Sequence, residues 1–209
     1  MENVKLLVVY YSSTGANRQL AQWAVEGARM EGADVKLTRV KETAPEESIK
    51  ENAAWEKNYR ATIQIPEVTL EDLEWADAII FSAPTRYGSV PSQMRNFLDT
   101  TGSLWVENKL ANKVVSAMSS AINPHGGQEA TILSLYTTMY HWGCIVAAPG
   151  YTDPAQFNAG GNPYGVSASV DYDGKIKEDP EAIRKAVYHQ ARRTVNIAKW
   201  VRSGELQEA

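Results

Sequence analysis

The residues best suited to chemistry stand in a short hydroxyl-rich loop near the start of the chain. An apolar, β-branched run over residues 4–11 stops abruptly and a helical pattern soon follows. The loop between them consists of Ser12, Ser13, Thr14, Gly15, Ala16 and Asn17. A strand that enters a helix in this way aims free backbone N–H groups, hydroxyls and the positive end of the helix dipole at one point. Such a point suits a phosphate, and an ordinary helix cap made of the same residue types is the alternative.

The composition of this phosphate loop narrows the choice of ligand. The loop has neither the lysine of nucleoside triphosphate sites nor the spaced glycines of dinucleotide folds. A binder of a mononucleotide remains, with one phosphate at one helix end. Flavin mononucleotide (FMN) is the leading candidate for the cofactor.

A second loop, after another apolar run, has features that suit a flat aromatic ring. It consists of Pro84, Thr85, Arg86, Tyr87 and Gly88. The proline and the glycine stiffen the backbone, and the tyrosine offers a platform for a ring. Arg86 would place positive charge near a reduced flavin. The alternative is that Tyr87 packs on the surface and Arg86 is only solvated.

A third loop carries two glycines just before a helix, where the backbone can pass close to a ligand. Its candidate residues are Ser120, Ala121, Ile122, Asn123, Pro124, His125 and Gly126. A lone loop histidine such as His125 is more often simply solvated. His141 ends the following helix, where the dipole favours it as a cap, and this role is compatible with a place in a ligand site. The histidines are spread out and there is one cysteine, so we expect no metal site.

The elements that must position these loops alternate along the chain. Apolar runs predict five strands, at residues 4–11, 35–40, 76–83, 114–120 and 144–148, and most are continuous, as in strands buried on both faces. Helical stripes fill the gaps, and the last begins near Asp179 and Pro180. The pattern predicts a single α/β domain over residues 1–209, a doubly wound five-stranded parallel sheet with helices on both faces. Ligands of such sheets bind beyond the carboxyl ends of the strands, where the three loops would meet.

Two segments are longer than a minimal fold of this kind needs. Residues 41–67 are polar and proline-bounded, and residues 149–174 are rich in Gly, Pro, Tyr and Asn. Long loops in compact domains are usually functional or disordered. Because loop aromatics such as Trp55, Tyr59 and Tyr164 have little core left to enter, we expect these segments to supply subunit contacts.

The bulk composition excludes several classes of function. A net charge of −4 over 209 residues suggests no basic face, so nucleic acid is not an expected partner. No apolar run approaches the roughly 20 residues of a membrane span. The chain shows no signal-peptide pattern, and we predict a cytoplasmic location. Cys144 lies in an apolar run and is predicted to be a small buried residue.

The loops together resemble those of the WrbA family of flavodoxin-like NAD(P)H:quinone oxidoreductases. The matching pieces are residues 8–12, 84–88, 93–99, 101–105, 126–129 and 163–165. The resemblance extends from near residue 4 to about residue 200 and so includes almost the whole chain. The Pro-Thr-Arg-aromatic-Gly piece and the Gly-x-Leu-Trp piece are specific, whereas the first loop alone would fit any flavodoxin-like protein.

The resemblance implies that FMN is bound without a covalent bond. It implies that residues 12–17 hold the phosphate, that residues 84–88 hold the isoalloxazine ring, and that residues 120–126 close the other side with His141 approaching. It also implies that Trp105 lines a pocket where NADH or NADPH and a quinone bind in turn, and that the protein is a homotetramer. Thr14 replaces an aromatic residue that the family links to the nicotinamide donor, so it is a second candidate for substrate binding.

The expected activity is the two-electron reduction of a quinone to a quinol by a ping-pong mechanism. His141 and Tyr87 are candidates for protonating the quinol, and no catalytic side chain is required with certainty, since the flavin carries the chemistry. The alternative is a flavodoxin-type electron carrier that docks on redox partners. The extra loops and the mild charge favour the enzyme. A flavin-binding scaffold or sensor is a third hypothesis, for which the sequence offers no discriminating feature.

Overall fold

The computed structural model describes residues 2–205 and contains a parallel sheet with helices on both of its faces. Five of its strands run in the order β2-β1-β3-β4-β5, and all pairings between them are parallel. The strands are β1 (Lys5–Tyr10), β2 (Asp34–Arg39), β3 (Ala78–Pro84), β4 (Val114–Ala121) and β5 (Ile145–Val146). This arrangement confirms the predicted doubly wound, flavodoxin-like sheet.

Nine helices occur among the described residues and form a layer on each face of the sheet. They are α1 (Ala16–Met30), α2 (Glu46–Lys50), α3 (Ala53–Thr62), α4 (Leu70–Trp75), α5 (Ser92–Asp99), α6 (Gly102–Val106), α7 (Gln128–His141), α8 (Ala155–Asn158) and α9 (Pro180–Glu205). Side chains alternate across the strands, so Leu6 and Val8 pack under α1 and α9, whereas Leu7 and Val9 pack under α4, α5 and α7. Both faces of the central strands are therefore buried, as their continuous apolar sequences predict.

One close contact explains a glycine inside the first helix. A Cβ atom on Gly27 would lie 2.9 Å from the Cα atom of Tyr188 in α9. Any side chain would push α9 away from α1, so the apolar stripe of α1 has a glycine at its point of closest approach.

The edge strand beside β4 is interrupted, which the sequence pattern did not predict. β5 pairs only with Val114 and Val115, and pairing resumes at Ser119–Ala121 with a further parallel strand, β6 (Ser167–Ser169). Side chains fill the gap between them. The N–H group of Ala117 donates to the Tyr136 hydroxyl at 3.1 Å, and Gln190 Nε2 donates to the Ala117 carbonyl at 2.9 Å. Since these bonds replace those of a continuous strand, residues 147–166 are free to loop out.

The return of the chain to the sheet depends on a second glycine. A Cβ atom on Gly165 would overlap the carbonyl oxygen of Ala117. The backbone therefore passes directly over β4, and β6 begins two residues later. This contact gives a structural reason for the Pro-Tyr-Gly piece at residues 163–165.

The two long segments are more ordered than loops. The first contains α2 and α3, where Asn52 caps α3 by accepting a hydrogen bond from the N–H group of Trp55 at 3.0 Å. The second contains α8 and β6.

Cys144 is buried as predicted. Its thiol donates a hydrogen bond to the Leu110 carbonyl at 3.3 Å, and burial raises the pKa of the thiol to about 12. Over residues 2–205, no helix has both the length and the apolar character needed to cross a membrane.

Candidate functional site

A cavity of about 440 Å³ opens at the carboxyl ends of β1, β3 and β4. Most of the residues predicted to bind a cofactor line this main cavity. They are Ser12, Ser13, Thr14, Ala16, Asn17, Pro84, Thr85, Arg86, Ser120, Ala121, Ile122, Asn123 and Gly126. Three loops that are far apart in sequence thus meet where the parallel strands end, as expected for such a sheet. The remaining predicted residues are not in its lining: Gly15, Tyr87, Gly88, Pro124, His125 and His141.

The start of α1 is open toward the main cavity. Gly15 precedes the helix with φ +108°, and its N–H group donates to Ser12 Oγ at 3.0 Å. Within the described residues, no side chain caps α1. The N–H groups of the first turn, which no helix can satisfy internally, therefore face the lining hydroxyls with the positive end of the helix dipole.

Asn17 has a different role from the one that the sequence suggested. It is 1% exposed, its Nδ2 donates to Ser82 Oγ at 3.1 Å, and its Oδ1 accepts from Ser120 Oγ at 2.6 Å. The Ser82 hydroxyl in turn donates to the Asn17 carbonyl at 3.0 Å. The side chain is thus engaged in tying α1 to β3 and β4, and only the backbone of Asn17 is available to a ligand.

Arg86 reaches from the second loop to the phosphate loop. Its Nη2 donates to Ser13 Oγ at 3.2 Å, and its Nη1 donates to the Thr85 carbonyl at 3.2 Å. The guanidinium therefore adds positive charge beside the open end of α1. The sequence had suggested charge near a ring, whereas the structure places it next to the hydroxyl loop.

The turn of the second loop points its tyrosine away from the main cavity. Tyr87 and Gly88 have φ values of 52° and 78°, and Arg86 and Ser89 exchange two backbone hydrogen bonds, as in a tight two-residue hairpin. The Tyr87 side chain is fully exposed. A Cβ atom on Gly127 would lie 2.8 Å from the Gly88 Cα atom, so these glycines allow the second and third loops to touch. Their role is to bring the two loops together.

The first long segment supplies a wall that sequence reasoning missed. Asn52 and Trp55 line the main cavity. One turn further along α3, Asn58 Nδ2 donates to the carbonyls of Ser12 and Ser13 at 2.8 and 3.0 Å. Because Trp55 and Asn58 are three residues apart, one face of α3 holds both the wall and the phosphate loop. The length of the segment signalled function, but we had expected subunit contacts there.

Glu42 fixes the position of that wall. Its carboxylate accepts from the Tyr11 hydroxyl at 2.9 Å, from Trp55 Nε1 at 3.2 Å and from Gln93 Nε2 at 2.7 Å. The backbone N–H groups of residues 43 and 44 add two further bonds of 2.9 Å each. Burial and the neighbouring Glu42 carboxylate raise the pKa of Tyr11, so this tyrosine stays protonated and donates.

The second long segment closes another side of the main cavity, again without a specific sequence signal. Val170, Asp171 and Tyr172 line it, and Tyr172 is largely exposed. A Cβ atom on Gly174 would overlap Thr14, so the turn after these residues packs on the phosphate loop. The segment reaches this place because β6 pairs with the carboxyl end of β4.

Trp105 and His141 do not come to the main cavity within one chain. Helix α7 starts beside the cavity and runs back along the sheet, and its 14 residues span about 20 Å at the helical rise per residue. His141 therefore lies at the opposite end of the sheet. There Trp105 Nε1 donates to the His141 carbonyl at 2.9 Å, and both residues border a separate depression of about 320 Å³. Within one chain, Trp105 and His141 therefore border this depression and not the main cavity, and their approach to the cofactor stays a prediction.

The main cavity fits a mononucleotide. One uncapped helix end with adjacent hydroxyls and Arg86 suits one phosphate. Two glycine-containing loops and the indole of Trp55 offer backbone groups and a flat surface beside it. The fold and the site thus define a flavodoxin-like protein with a cavity for a flavin mononucleotide.

Comparison with known proteins agrees with this class. The chain belongs to the NADPH-dependent FMN reductase family, whose profile matches residues 4–154. It is 50% identical over 194 residues to a protein from Deinococcus radiodurans named NAD(P)H dehydrogenase (quinone), covering 93% of this chain and 95% of that protein. It is 42% identical over 201 residues to a protein of the same name from Sinorhizobium fredii, covering 93% and 98%. The resemblance to flavodoxin-like quinone oxidoreductases is confirmed.

Solved structures show the same fold. A WrbA-like flavodoxin from Agrobacterium tumefaciens has a TM-score of 0.63 and 19% identity, covering 95% of this chain and 99% of that chain. A flavodoxin from the domain Archaea has a TM-score of 0.58 and 20% identity, with coverage of 95% and 99%. At sequence identities this low, the similarity to these two structures shows a common arrangement of strands and helices, and no more than that.

Proposed function

We propose that the protein is an FMN-dependent NAD(P)H:quinone oxidoreductase that reduces quinones to quinols by two electrons. The observation that carries the proposal is the uncapped start of α1 facing a cavity lined with hydroxyls. Family membership and the names of the relatives support the same activity. When bound, FMN supplies the two-electron chemistry, and the chain supplies position, electrostatics and access.

The residues of the main cavity divide the work of binding. The first-turn N–H groups of α1, the hydroxyls of residues 12–14 and Arg86 would hold the phosphate. The backbones of residues 84–88 and 120–126 would flank the ring, and Trp55 would provide an apolar wall held by Glu42. This wall would exclude water from one side of the ring and strengthen the electrostatic interactions of the site.

The nicotinamide donor and the quinone would use the main cavity in turn. Neither of the candidate proton donors, Tyr87 and His141, is among the residues that line the main cavity within one chain. The quinol protons would come from solvent or from a neighbouring subunit. Initial rates measured with both substrates varied should then give parallel double-reciprocal lines, and intersecting lines would contradict alternating use of one cavity.

We further propose that the protein is a homotetramer with a cytoplasmic location. Trp105 is 54% exposed and Tyr140 is 62% exposed, and both lie at the end of the sheet opposite to the main cavity. Exposed aromatic residues are enriched where subunits meet, and closed symmetric assembly is usual. Trp105 and His141 of one chain would then approach the main cavity of a neighbour and contact its cofactor.

The activity is tested by identifying the released flavin and measuring turnover. We expect FMN after denaturation, and rapid oxidation of NADH or NADPH only when benzoquinone is present. Mostly FAD, or no flavin uptake by the apoprotein, would overturn the cofactor assignment. Flavin binding without turnover would favour the electron carrier.

The assembly is tested by light scattering and specific activity over a dilution series. Specific activity should fall with dissociation, before the domain unfolds. A fully active monomer that retains FMN would overturn both the tetramer and the shared cavity.

A further inference from the structure

We propose that a second cavity beside the phosphate loop binds the 2′-phosphate of NADPH and makes NADPH the preferred donor. This outer cavity measures about 480 Å³ and lies between α1 and α3. It is lined by Thr14, Gly15, Arg18, Ala53, Ala54, Lys57, Asn58, Ala61 and Asp173. The inference rests on the proposed function, because it concerns the choice between two nicotinamide donors.

The outer cavity has an excess of positive charge. Arg18 extends into it from α1 and Lys57 from α3, and neither has an ion-pair partner among residues 2–205. Asp173 is the one carboxylate in the lining, so two cations and one anion leave a formal charge of +1. A phosphomonoester carries close to two negative charges near neutral pH and would match this balance.

Arg18 shows that an acceptor is lacking. Its Nε atom is buried and has no hydrogen-bond partner within the described chain. A buried donor without an acceptor is costly, and the residue that carries it lines the outer cavity, where an anion would offset the unpaired charge of the guanidinium. The nearby Tyr10 does not supply an anion, because burial raises its pKa to about 12 and keeps the hydroxyl protonated.

The position of the outer cavity selects the far end of the donor. The outer and main cavities share only Thr14 in their linings, and none of residues 84–88 or 120–126 borders the outer one. A nicotinamide ring beside the flavin must lie between those two loops. Only a group remote from the nicotinamide ring can therefore reach beyond Thr14 into the outer cavity. The 2′-phosphate on the adenosine ribose is such a group.

Small residues keep the outer cavity open. Ala53, Ala54 and Ala61 of α3 face Gly15 across it. With no long apolar side chain to fill the space, the walls leave the two cations accessible to a charged ligand. The 2′-phosphate is also the chemical difference between NADPH and NADH, so a site here would discriminate between the two donors rather than bind both.

The kinetic test compares Arg18→Gln and Lys57→Gln in the FMN-loaded protein. Each should raise the KM for NADPH by about tenfold or more, the value of one charge-assisted hydrogen bond, and change the KM for NADH by less than about twofold. Asp173→Asn should act in the opposite direction and lower the KM for NADPH. The matched control is Lys50→Gln, an exposed lysine that pairs with Glu46 on α2, which should leave both values unchanged.

The binding test does not depend on turnover. Calorimetry on the FMN-loaded protein should show binding of adenosine 2′,5′-bisphosphate, weaker binding of 5′-AMP, and loss of the difference in Lys57→Gln. Equal effects on both donors, equal binding of the two nucleotides, or weakened FMN binding in Lys57→Gln would overturn the inference. Because Lys57 is exposed, its replacement tests the proposal even if Arg18→Gln folds poorly. Wild-type protein that oxidises neither donor would instead overturn the proposed activity, while the calorimetry would still decide on the outer cavity.

Discussion

The two ends of the sheet differ in how completely one chain builds them. At the carboxyl end, hydrogen bonds of the Asn17, Asn58 and Glu42 side chains join four segments: the phosphate loop with the start of α1, the end of β4, residues 41–67 and α5. The main cavity lies at this end. At the opposite end, Trp105 and Tyr140 stand exposed beside a shallow depression. One chain thus forms the walls of the main cavity, whereas the exposed aromatic residues at the other end form the surface that we propose for contact with a neighbouring subunit.

The difference follows from the direction of the strands and helices. Parallel strands all end at the same edge, so loops distant in sequence converge there and brace one another. The helices run back from that edge and carry residues such as His141 away from the cavity. The family resemblance assigns the loop residues and His141 to one site, but within one chain they lie at opposite ends of the sheet.

The largest expected effect comes from charge at the carboxyl end. Thr14→Glu should weaken FMN binding by about 100-fold or more, because it sets a carboxylate against the phosphate in a partly buried site. Fluorescence titration of the apoprotein measures the affinity, and light scattering should show unchanged assembly. Thr14→Gln is the uncharged control and should retain most of the affinity. Equal affinity for Thr14→Glu and the native protein would place the phosphate elsewhere.

Removing the brace under the same end should have the next largest effect. Asn17→Ala leaves the buried Ser120 hydroxyl without its partner and removes the side-chain donor to Ser82 Oγ, although the bond from Ser82 to the Asn17 carbonyl remains. The free energy of unfolding should fall by about 2–3 kcal/mol. Urea denaturation of the apoprotein measures it. The control is Ser119→Ala, since the Ser119 hydroxyl is buried without a hydrogen-bond partner among residues 2–205, and its loss should not destabilise. Similar costs for the two variants would show that Asn17 is not a brace.

A change at the opposite end should affect assembly and leave the domain intact. Trp105→Ala should dissociate the oligomer and change the free energy of unfolding of the domain by less than about 1 kcal/mol, since the ring is half exposed and covers little core. Light scattering measures the assembly and urea denaturation the stability. Trp200→Ala removes a comparably exposed tryptophan from α9 and serves as the control. A native oligomer in Trp105→Ala would remove this end from the subunit contact.

The smallest expected effect is a pH dependence of the free energy of unfolding, and its source lies at neither end of the sheet. His189 of α9 lies within 2.8 Å of the Thr152 hydroxyl, and burial, the largest cause, lowers its pKa below the ordinary 6.5. Between the lowered pKa and 6.5 the unfolded chain binds more protons than the folded one, so stability falls as the pH drops through this window and is fully present above it. Urea midpoints from pH 5 to 7.5 should show this slope, and His189→Asn should reduce it. An equal slope in His189→Asn and the native protein would exclude His189 as its source.

Three features were predictable from the sequence by itself. They are the doubly wound parallel sheet, the open start of α1 and the three loops that line the main cavity. These features depend on local patterns: continuous apolar runs make buried parallel strands, and a hydroxyl loop before a helix leaves N–H groups open. Parallel topology then brings the ends of the strands together without further information. The residues at the two ends of each run were predicted less well, and β5 proved to be shorter than the apolar run at residues 144–148.

The tertiary structure alone decided what each side chain does at the site. Asn17 turned inward because Ser82 and Ser120, which no local pattern relates to it, offered buried partners. Trp55 became a cavity wall because Glu42 holds its indole, and β6 returned to the sheet because Tyr136 and Gln190 fill the gap in front of it. Contacts of this kind join residues far apart in the chain, so their energies appear only when the fold brings the partners within hydrogen-bonding distance.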